Sequence, residues 1–176
     1  MARVYASIGS NIDRESNITT CCQALSREFG ALDISVVYET DAVGFSGAPF
    51  YNLAVGFDTE KEAAEVIDCF RRIEAQQGRE RTQPKFSSRT IDIDLLLYDD
   101  AVIEGADFSI PRPEIVEQAF VLKPLADLCS ECLHPLENKT IGQLWSEFRG
   151  AQDSLRPVRN FCRETDGAAF VLRGVE

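Results

Sequence analysis

The sequence predicts an α+β fold of ferredoxin-like, split-βαβ type, with a mainly antiparallel sheet and helices packed on it. Three observations carry this expectation. Strand-like and helix-like segments follow one another in the order β, α, β, β, α, β. Both helical segments run into a glycine stop signal, Gly30 and Gly78. A chain of 176 residues with 44% hydrophobic and 27% charged side chains has the composition of one ordered domain.

Residues 3–8 alternate as a strand and stop at Gly9-Ser10-Asn11, which reads as a turn with capping chemistry. Ile18, Cys21, Cys22, Leu25 and Phe29 then recur at three- and four-residue steps, the apolar face of a helix that packs on a sheet. Segments 33–39 and 50–57 are β-rich and separated by a Gly-containing loop over 41–49, as antiparallel neighbours would be. Ala63, Val66, Ile67, Phe70, Ile73 and Glu74 mark a second amphipathic helix within 60–77. Ile91-Asp92-Ile93-Asp94-Leu95-Leu96-Leu97-Tyr98 begins with period two and reads as a central strand with a polar upper edge.

Later segments carry weaker patterns. Residues 101–110 suggest a short hairpin or edge strand, Pro113–Ala119 a short helix opened by proline, and Ile141–Phe148 another helix. Residues 1–176 are expected to form a single domain, with 151–176 as a C-terminal extension that holds one candidate strand at 169–172. No internal repeat or low-complexity tract interrupts the chain.

The net charge of −11 disfavours nucleic acid and anionic membrane surfaces as partners. Six basic residues nevertheless fall within nineteen positions: Arg71, Arg72, Arg79, Arg81, Lys85 and Arg89. Such a cluster suits a small anionic ligand, the alternative being a solvated helix end followed by a basic loop. Cys129 and Cys132 form a C-x-x-C, but the second half of a zinc site is missing and His134 stands too close to complete one. The six cysteines, Cys21, Cys22, Cys69, Cys129, Cys132 and Cys162, are therefore expected to be free thiols. The N-terminus lacks a long apolar h-region and no run approaches membrane-spanning length, so a reducing cytoplasmic location is expected.

Two carboxylates at i and i+2 of a strand project the same way, near enough to bracket hard cations, and Asp92 and Asp94 have this spacing. Their alternative is a solvent-facing polar stripe. Arg89 just ahead of them, with Arg79 and Arg81, adds a clamp for phosphate oxygens, so the layout suits phosphoryl transfer by positioning and charge neutralisation. No G-x-x-x-x-G-K-[ST] loop and no protein-kinase signature is present. With a single histidine, His134, a nucleophile–histidine pair has little support.

The string Arg89-Thr90-Ile91-Asp92-Ile93-Asp94-Leu95-Leu96 is recognisable. So are Gly9-Ser10-Asn11, Phe50-Tyr51-Asn52, Glu74 with Gln77-Gly78-Arg79, Ile110-Pro111-Arg112 and Ala119-Phe120-Val121-Leu122. In this order they make residues 3–135 resemble the 6-hydroxymethyl-7,8-dihydropterin pyrophosphokinase family. The resemblance implies transfer of the β,γ-diphosphate of ATP to the pterin hydroxymethyl group, releasing AMP, in folate biosynthesis. ATP is then the co-substrate, and two Mg²⁺ ions sit on Asp92 and Asp94, with Arg79 and Arg89 as catalytic partners. Thr40, Val43, Phe50, Asn52 and Phe120 fall at pterin-binding positions, Phe50 and Phe120 as a stacking pair and Asn52 as an edge-reading amide. Glu74, Arg79, Arg89, Ser109, Ile110 and Arg112 fall at nucleotide-binding positions. The implied partners are the small-molecule pterin and ATP, and the expected oligomeric state is a monomer, with a dimer as the alternative.

Three departures from the family pattern stand out. Arg112 replaces a frequent histidine, Gln118 replaces a frequent arginine, and Lys85-Phe86-Ser87-Ser88 replaces an R-W-G-P run. They leave open a divergent paralogue acting on a related pterin, or a pterin- or nucleotide-binding regulator without turnover. An interaction module of the same fold would leave the Asp92 and Asp94 pair without a purpose.

Overall fold

Alternation along β1 (Ala2–Ser10) sends Val4, Ala6 and Ile8 into a core and Ser7 and Gly9 to the opposite face. In the computed structural model, residues 1–79, 87–159, 161 and 170–172 are described, the last three by their backbone. After β1 come α1 (Arg14–Phe29), β2 (Leu32–Ile34), β3 (Tyr38–Thr40), β4 (Phe50–Thr59), α2 (Ala63–Gln76) and β5 (Asp92–Tyr98). A short hairpin follows, β6 (Ile103–Glu104) with β7 (Ser109–Ile110), then α3 (Glu114–Glu117), α4 (Ala119–Cys129) and α5 (Ile141–Glu147). The tail contributes β8 (Arg156–Pro157) and β9 (Phe170–Leu172).

The main sheet runs β5-β1-β4-β2-β9, with β3 also paired to β4 and β8 added outside β3. All pairs are antiparallel except β2 with β9. Two interleaved βαβ units produce this order, because α1 carries the chain from β1 over β4 to β2, and α2 carries it from β4 over β1 to β5. The ferredoxin-like α+β expectation holds.

Both faces of the sheet are covered. On one face Ile18, Cys21, Cys22 and Leu25 of α1 and Val66, Phe70 and Ile73 of α2 pack on Val4, Ile8, Leu53, Val55, Phe57, Ile91 and Ile93. Phe57 stacks on Phe29 at 4.2 Å and meets Phe70 edge-on at 6.3 Å. On the other face Val121, Leu122, Leu125 and Cys129 of α4 and Ile141 of α5 pack on Tyr5, Leu96 and Leu97. The helices of this second layer leave part of the sheet open, and the cleft lies there.

Four local features differ from the sequence expectation. The 33–39 strand is divided: Ser35 leaves the ladder but keeps β4 paired, donating its N–H to the Ala54 carbonyl and accepting the Ala54 N–H on Oγ. Gly9 and Ser10 belong to β1 rather than to a turn. The acidic strand β5 is an edge strand rather than a central one, its outer side met by the Arg112 N–H on the Leu96 carbonyl. The proline-opened helix ends at Glu117, and a longer helix, α4, follows it. Pro124 stands inside α4 and withholds one backbone donor there, which hides the helix from a periodicity reading.

Removing the aromatic at the centre of the α1/α2 core tests this packing. Phe57→Ala should lower unfolding free energy by about 3–5 kcal/mol. Urea titration with an unchanged m-value checks it, and a loss below about 1 kcal/mol would contradict the packing described.

Candidate active site

Strand register sets the cleft. Paired residues of antiparallel strands share a face, so Asp92 of β5, Gly9 of β1, Asn52 of β4 and Tyr38 of β3 form one row across the sheet. Asp94 with Ser7, and Phe50 with Thr40, flank that row. Gly9 stands at the middle without a side chain, and a Cβ there would lie 3.2 Å from Asn52 Oδ1 and 3.9 Å from Phe50. A cavity of about 480 Å³, large enough for a drug-sized ligand, lies over the row from Asp92 to Asn52 and the residues that flank it.

The β5 end of the cavity is charged. Glu74, on the last turn of α2, is 1% exposed and accepts both the Arg79 guanidinium and the Ile93 N–H, the latter at 2.9 Å. A carboxylate this dry needs such partners. Arg79 extends past it to Asp92 Oδ1 at 2.6 Å, and Arg89 takes the other Asp92 oxygen. Arg112 Nη2 lies 3.1 Å from Asp94, and its Nε, 3.2 Å from Glu114, is buried without a hydrogen-bonded partner. Desolvation, then the neighbouring Asp92 charge, push the Asp94 carboxyl up to about 6, with Arg112 opposing them.

The β4 end is aromatic and amide-lined. Asn52 donates to Thr40 Oγ1 at 2.7 Å, and both side chains are buried. Phe50 meets Phe45 edge-on at 6.3 Å, and half-buried Phe120 reaches the cavity from the first turn of α4. Exposed Val43, on the 41–49 loop, adds to the same wall.

Of the residues singled out in the sequence, Thr40, Val43, Phe50, Asn52, Arg79, Arg89, Asp92, Asp94, Ser109, Ile110, Arg112 and Phe120 line this one cavity. Glu74 does not line it and stands behind Arg79. Arg71 reaches its rim. Arg72 pairs with Glu28 away from the cavity, while Arg81 and Lys85 lie outside the described residues. Cys21, Cys22, Cys69, Cys129 and Cys132 are free, and Cys162 lies outside the described residues. His134 is buried at the start of a turn, with Nδ1 accepting the Leu136 and Glu137 N–H groups.

Sequence reasoning missed Gly9 as the cavity floor and Asn11 as a hub. The Asn11 side chain accepts the Arg89 N–H at 2.7 Å and donates to the Ala48 carbonyl and Ser88 Oγ, tying two loops to the end of β1. Ser10 Oγ donates to the Thr90 carbonyl at 2.6 Å. The signal was the Gly-Ser-Asn string, whose fixed order suits a floor followed by two anchoring side chains.

Among the described residues no group of three or more His, Cys, Asp or Glu side chains converges as a metal site. Asp92 and Asp94 offer two carboxylates, a donor set that suits Mg²⁺, which takes one or two protein carboxylates and completes its shell with water and phosphate. No helix among the described residues is long and apolar enough to cross a membrane.

Fold and cleft together define the class: a ferredoxin-like α+β protein whose sheet face carries a cavity charged at one end and aromatic at the other. The profile of the 7,8-dihydro-6-hydroxymethylpterin-pyrophosphokinase family matches residues 5–130, and the chain belongs to that family. It is 36% identical over 132 residues to the 2-amino-4-hydroxy-6-hydroxymethyldihydropteridine pyrophosphokinase of Bacillus subtilis, covering 72% of this chain and 78% of that one. The protein of the same name from Aquifex aeolicus is 32% identical over 164 residues, covering 92% of this chain and 97% of that one. A Plasmodium falciparum HPPK-DHPS crystal structure shares the fold with a TM-score of 0.70 at 14% identity. That match covers 89% of this chain and 47% of the longer Plasmodium chain.

Asp94 has a raised carboxyl, so between about 4 and 6 the folded metal-free protein holds a proton that the unfolded chain has released, and this group's contribution to stability falls as pH rises through that window. Asp94→Asn should therefore be more stable than the parent at pH 7 without metal, the difference closing towards pH 4; denaturant titration at both pH values checks this, and a less stable Asn variant at pH 7 would contradict it. Glu74→Ala should cost about 3 kcal/mol by stranding part of the Arg79 charge and the Ile93 N–H. Unfolding free energy unchanged by that substitution would refute the structural role of the pair.

Proposed function

We propose that this protein transfers the β,γ-diphosphate of ATP to the hydroxymethyl oxygen of 6-hydroxymethyl-7,8-dihydropterin, releasing AMP, in folate biosynthesis. The observation that carries this is the single row Asp92–Gly9–Asn52, which joins a site for a polyanion to a site for a flat aromatic edge with no side chain between them. The activity for which the Bacillus subtilis and Aquifex aeolicus relatives are named supports the same reading.

In this reading Phe50 and Phe120 hold the two faces of the pterin, and Asn52, oriented by Thr40, reads its polar edge. Val43 closes the side, and the ring lies over Gly9 with its hydroxymethyl group towards Asp92 and Asp94. Arg79, Arg89 and Arg112 receive the triphosphate, while Ser109 and Ile110 line the nucleotide side. Glu74 acts through Arg79, fixing the guanidinium where phosphate enters. Arg112 Nε, 3.2 Å from Glu114 but without a hydrogen-bonded partner, is a donor suited to a phosphate oxygen in place of the histidine common in the family.

Among the described residues, Glu74, Asp92, Asp94 and Glu114 are met by the guanidiniums of Arg79, Arg89 and Arg112, so those cations are already paired in the free cleft. A triphosphate adds more negative charge, which the arginines alone do not balance. Two Mg²⁺ ions held by Asp92 and Asp94 would supply the missing positive charge and raise the electrophilicity of the β-phosphorus. The pterin oxygen forms its bond to that phosphorus as the bond to the α-phosphate oxygen breaks, AMP leaving with the electron pair. The hydroxyl proton departs to solvent. The arginines stabilise charge that grows during this displacement, and no covalent enzyme intermediate is required.

We place the enzyme in the cytoplasm, which suits the free thiols among the described residues. Residues 1–176 act as one domain, with 151–176 as an extension whose described strands β8 and β9 pair with β3 and β2.

Incubation with ATP, Mg²⁺ and 6-hydroxymethyl-7,8-dihydropterin should yield AMP and pterin diphosphate in equal amounts by chromatography. Formation of ADP, or pterin binding without turnover, would refute the assignment.

A further inference from the structure

The tail beyond the family-matched region touches the loop that walls the aromatic end of the cavity. Residues 41–49 leave the sheet at Thr40 and return at Phe50, and Asp41, Val43 and Phe45 from this loop line the cavity. Both ends of the loop are held by arginines that meet at Glu39. Arg156, on β8, donates to Asp41 at 2.9 Å and to Glu39 at 3.2 Å. Arg14, on α1, pairs with the other Glu39 oxygen at 2.7 Å and donates to the Pro49 carbonyl at 2.9 Å.

The surrounding contacts fix both arginines. Glu39 of β3 is in register with Arg156 of β8, and the Val158 N–H donates to the Val37 carbonyl at 2.8 Å, so Arg156 is delivered by backbone pairing. The Arg14 guanidinium lies 3.8 Å from the Tyr51 ring centre, and Phe161 of the tail meets the same ring edge-on at 5.8 Å. Tyr51 adjoins the cavity residues Phe50 and Asn52 on β4. The order Asp41–Arg156–Glu39–Arg14–Pro49 therefore spans the loop from its first residue to its last.

We propose that this chain of contacts is a clasp that sets the resting position of the 41–49 loop, with Arg156 as a positioning residue for the planar aromatic substrate. The proposal rests on the pyrophosphokinase reading of the cavity. Arg156 touches neither substrate in this account. It acts through Asp41 and Glu39, and its loss widens the aromatic end of the cleft while leaving the charged end, on the far side of β1, in place.

The test is steady-state kinetics of full-length Arg156→Ala, Arg156→Lys, Glu39→Gln and the Arg156→Ala/Glu39→Gln pair, with hydrogen exchange of each. For Arg156→Ala the pterin KM should rise about three- to tenfold while the ATP KM stays within about twofold. Melting temperature should change little, because the pairs are exposed. Arg156→Lys should recover part of the loss, and the double variant should fall short of the product of the two single effects. Exchange should quicken across 41–49 and not across 87–98. Pterin and ATP KM values that stay together, with exchange at 41–49 unchanged, would overturn the clasp. Should wild type lack AMP-forming activity, the functional reading fails, and exchange at 41–49 still decides whether the clasp exists.

Discussion

A dry carboxylate at the end of α2 governs the arrangement of the charged cleft. Among the described residues Glu74 accepts from a guanidinium and a backbone N–H, and those partners come from the places that matter: Arg79, and Ile93 between the two aspartates of β5. The same contact therefore docks α2 on the edge strand and aims Arg79 at Asp92. Because desolvated charge is costly, this pairing is strongly specified, and Arg89 then completes the shell around Asp92. The cleft rests with its carboxylates matched to arginines. In the proposed reaction, cations and phosphate would exchange those partners without placing a new charge in an unprepared environment.

The second constraint is register. A one-residue slip of β5 against β1 would turn Asp92 and Asp94 into the α1/α2 core and bring Ile91 and Ile93 into the cleft. The buried isoleucines thus protect the register of the two aspartates by a hydrophobic penalty. Gly9 serves the same geometry from the opposite direction, by supplying a floor with no side chain between the acidic and aromatic ends. Asn11 then links that floor to Arg89 and to the loop at Ala48, so β1 connects both halves of the site.

Much of this was legible in the sequence because the signals were local. Period-two alternation put the two aspartates on one face, helical spacing located α1 and α2, and the motif strings placed the aromatic and amide positions. What was not legible depended on tertiary partners. An Ile-Asp-Ile-Asp pattern does not distinguish an edge strand from a central one, since the segment at Arg112 covers β5 on the side where no described strand pairs with it. Ser35 divides a strand through a side-chain bond to its neighbour, which composition cannot reveal. Pro124 concealed α4 even though Leu122 and Leu125 bury it firmly. Glu74 matched a nucleotide-binding position, and the sequence did not show that it is buried behind Arg79 rather than on the cavity wall.

The central claim is that Asp92 and Asp94 exchange arginine partners for metal ions when the triphosphate arrives. A crystal structure with Mn²⁺, a non-hydrolysable ATP analogue and the pterin tests it most directly. The account predicts anomalous scattering peaks bound by both aspartates, with Arg79 and Arg89 moved from Asp92 onto phosphate oxygens. Metal bound elsewhere, with both guanidiniums still on Asp92, would contradict it.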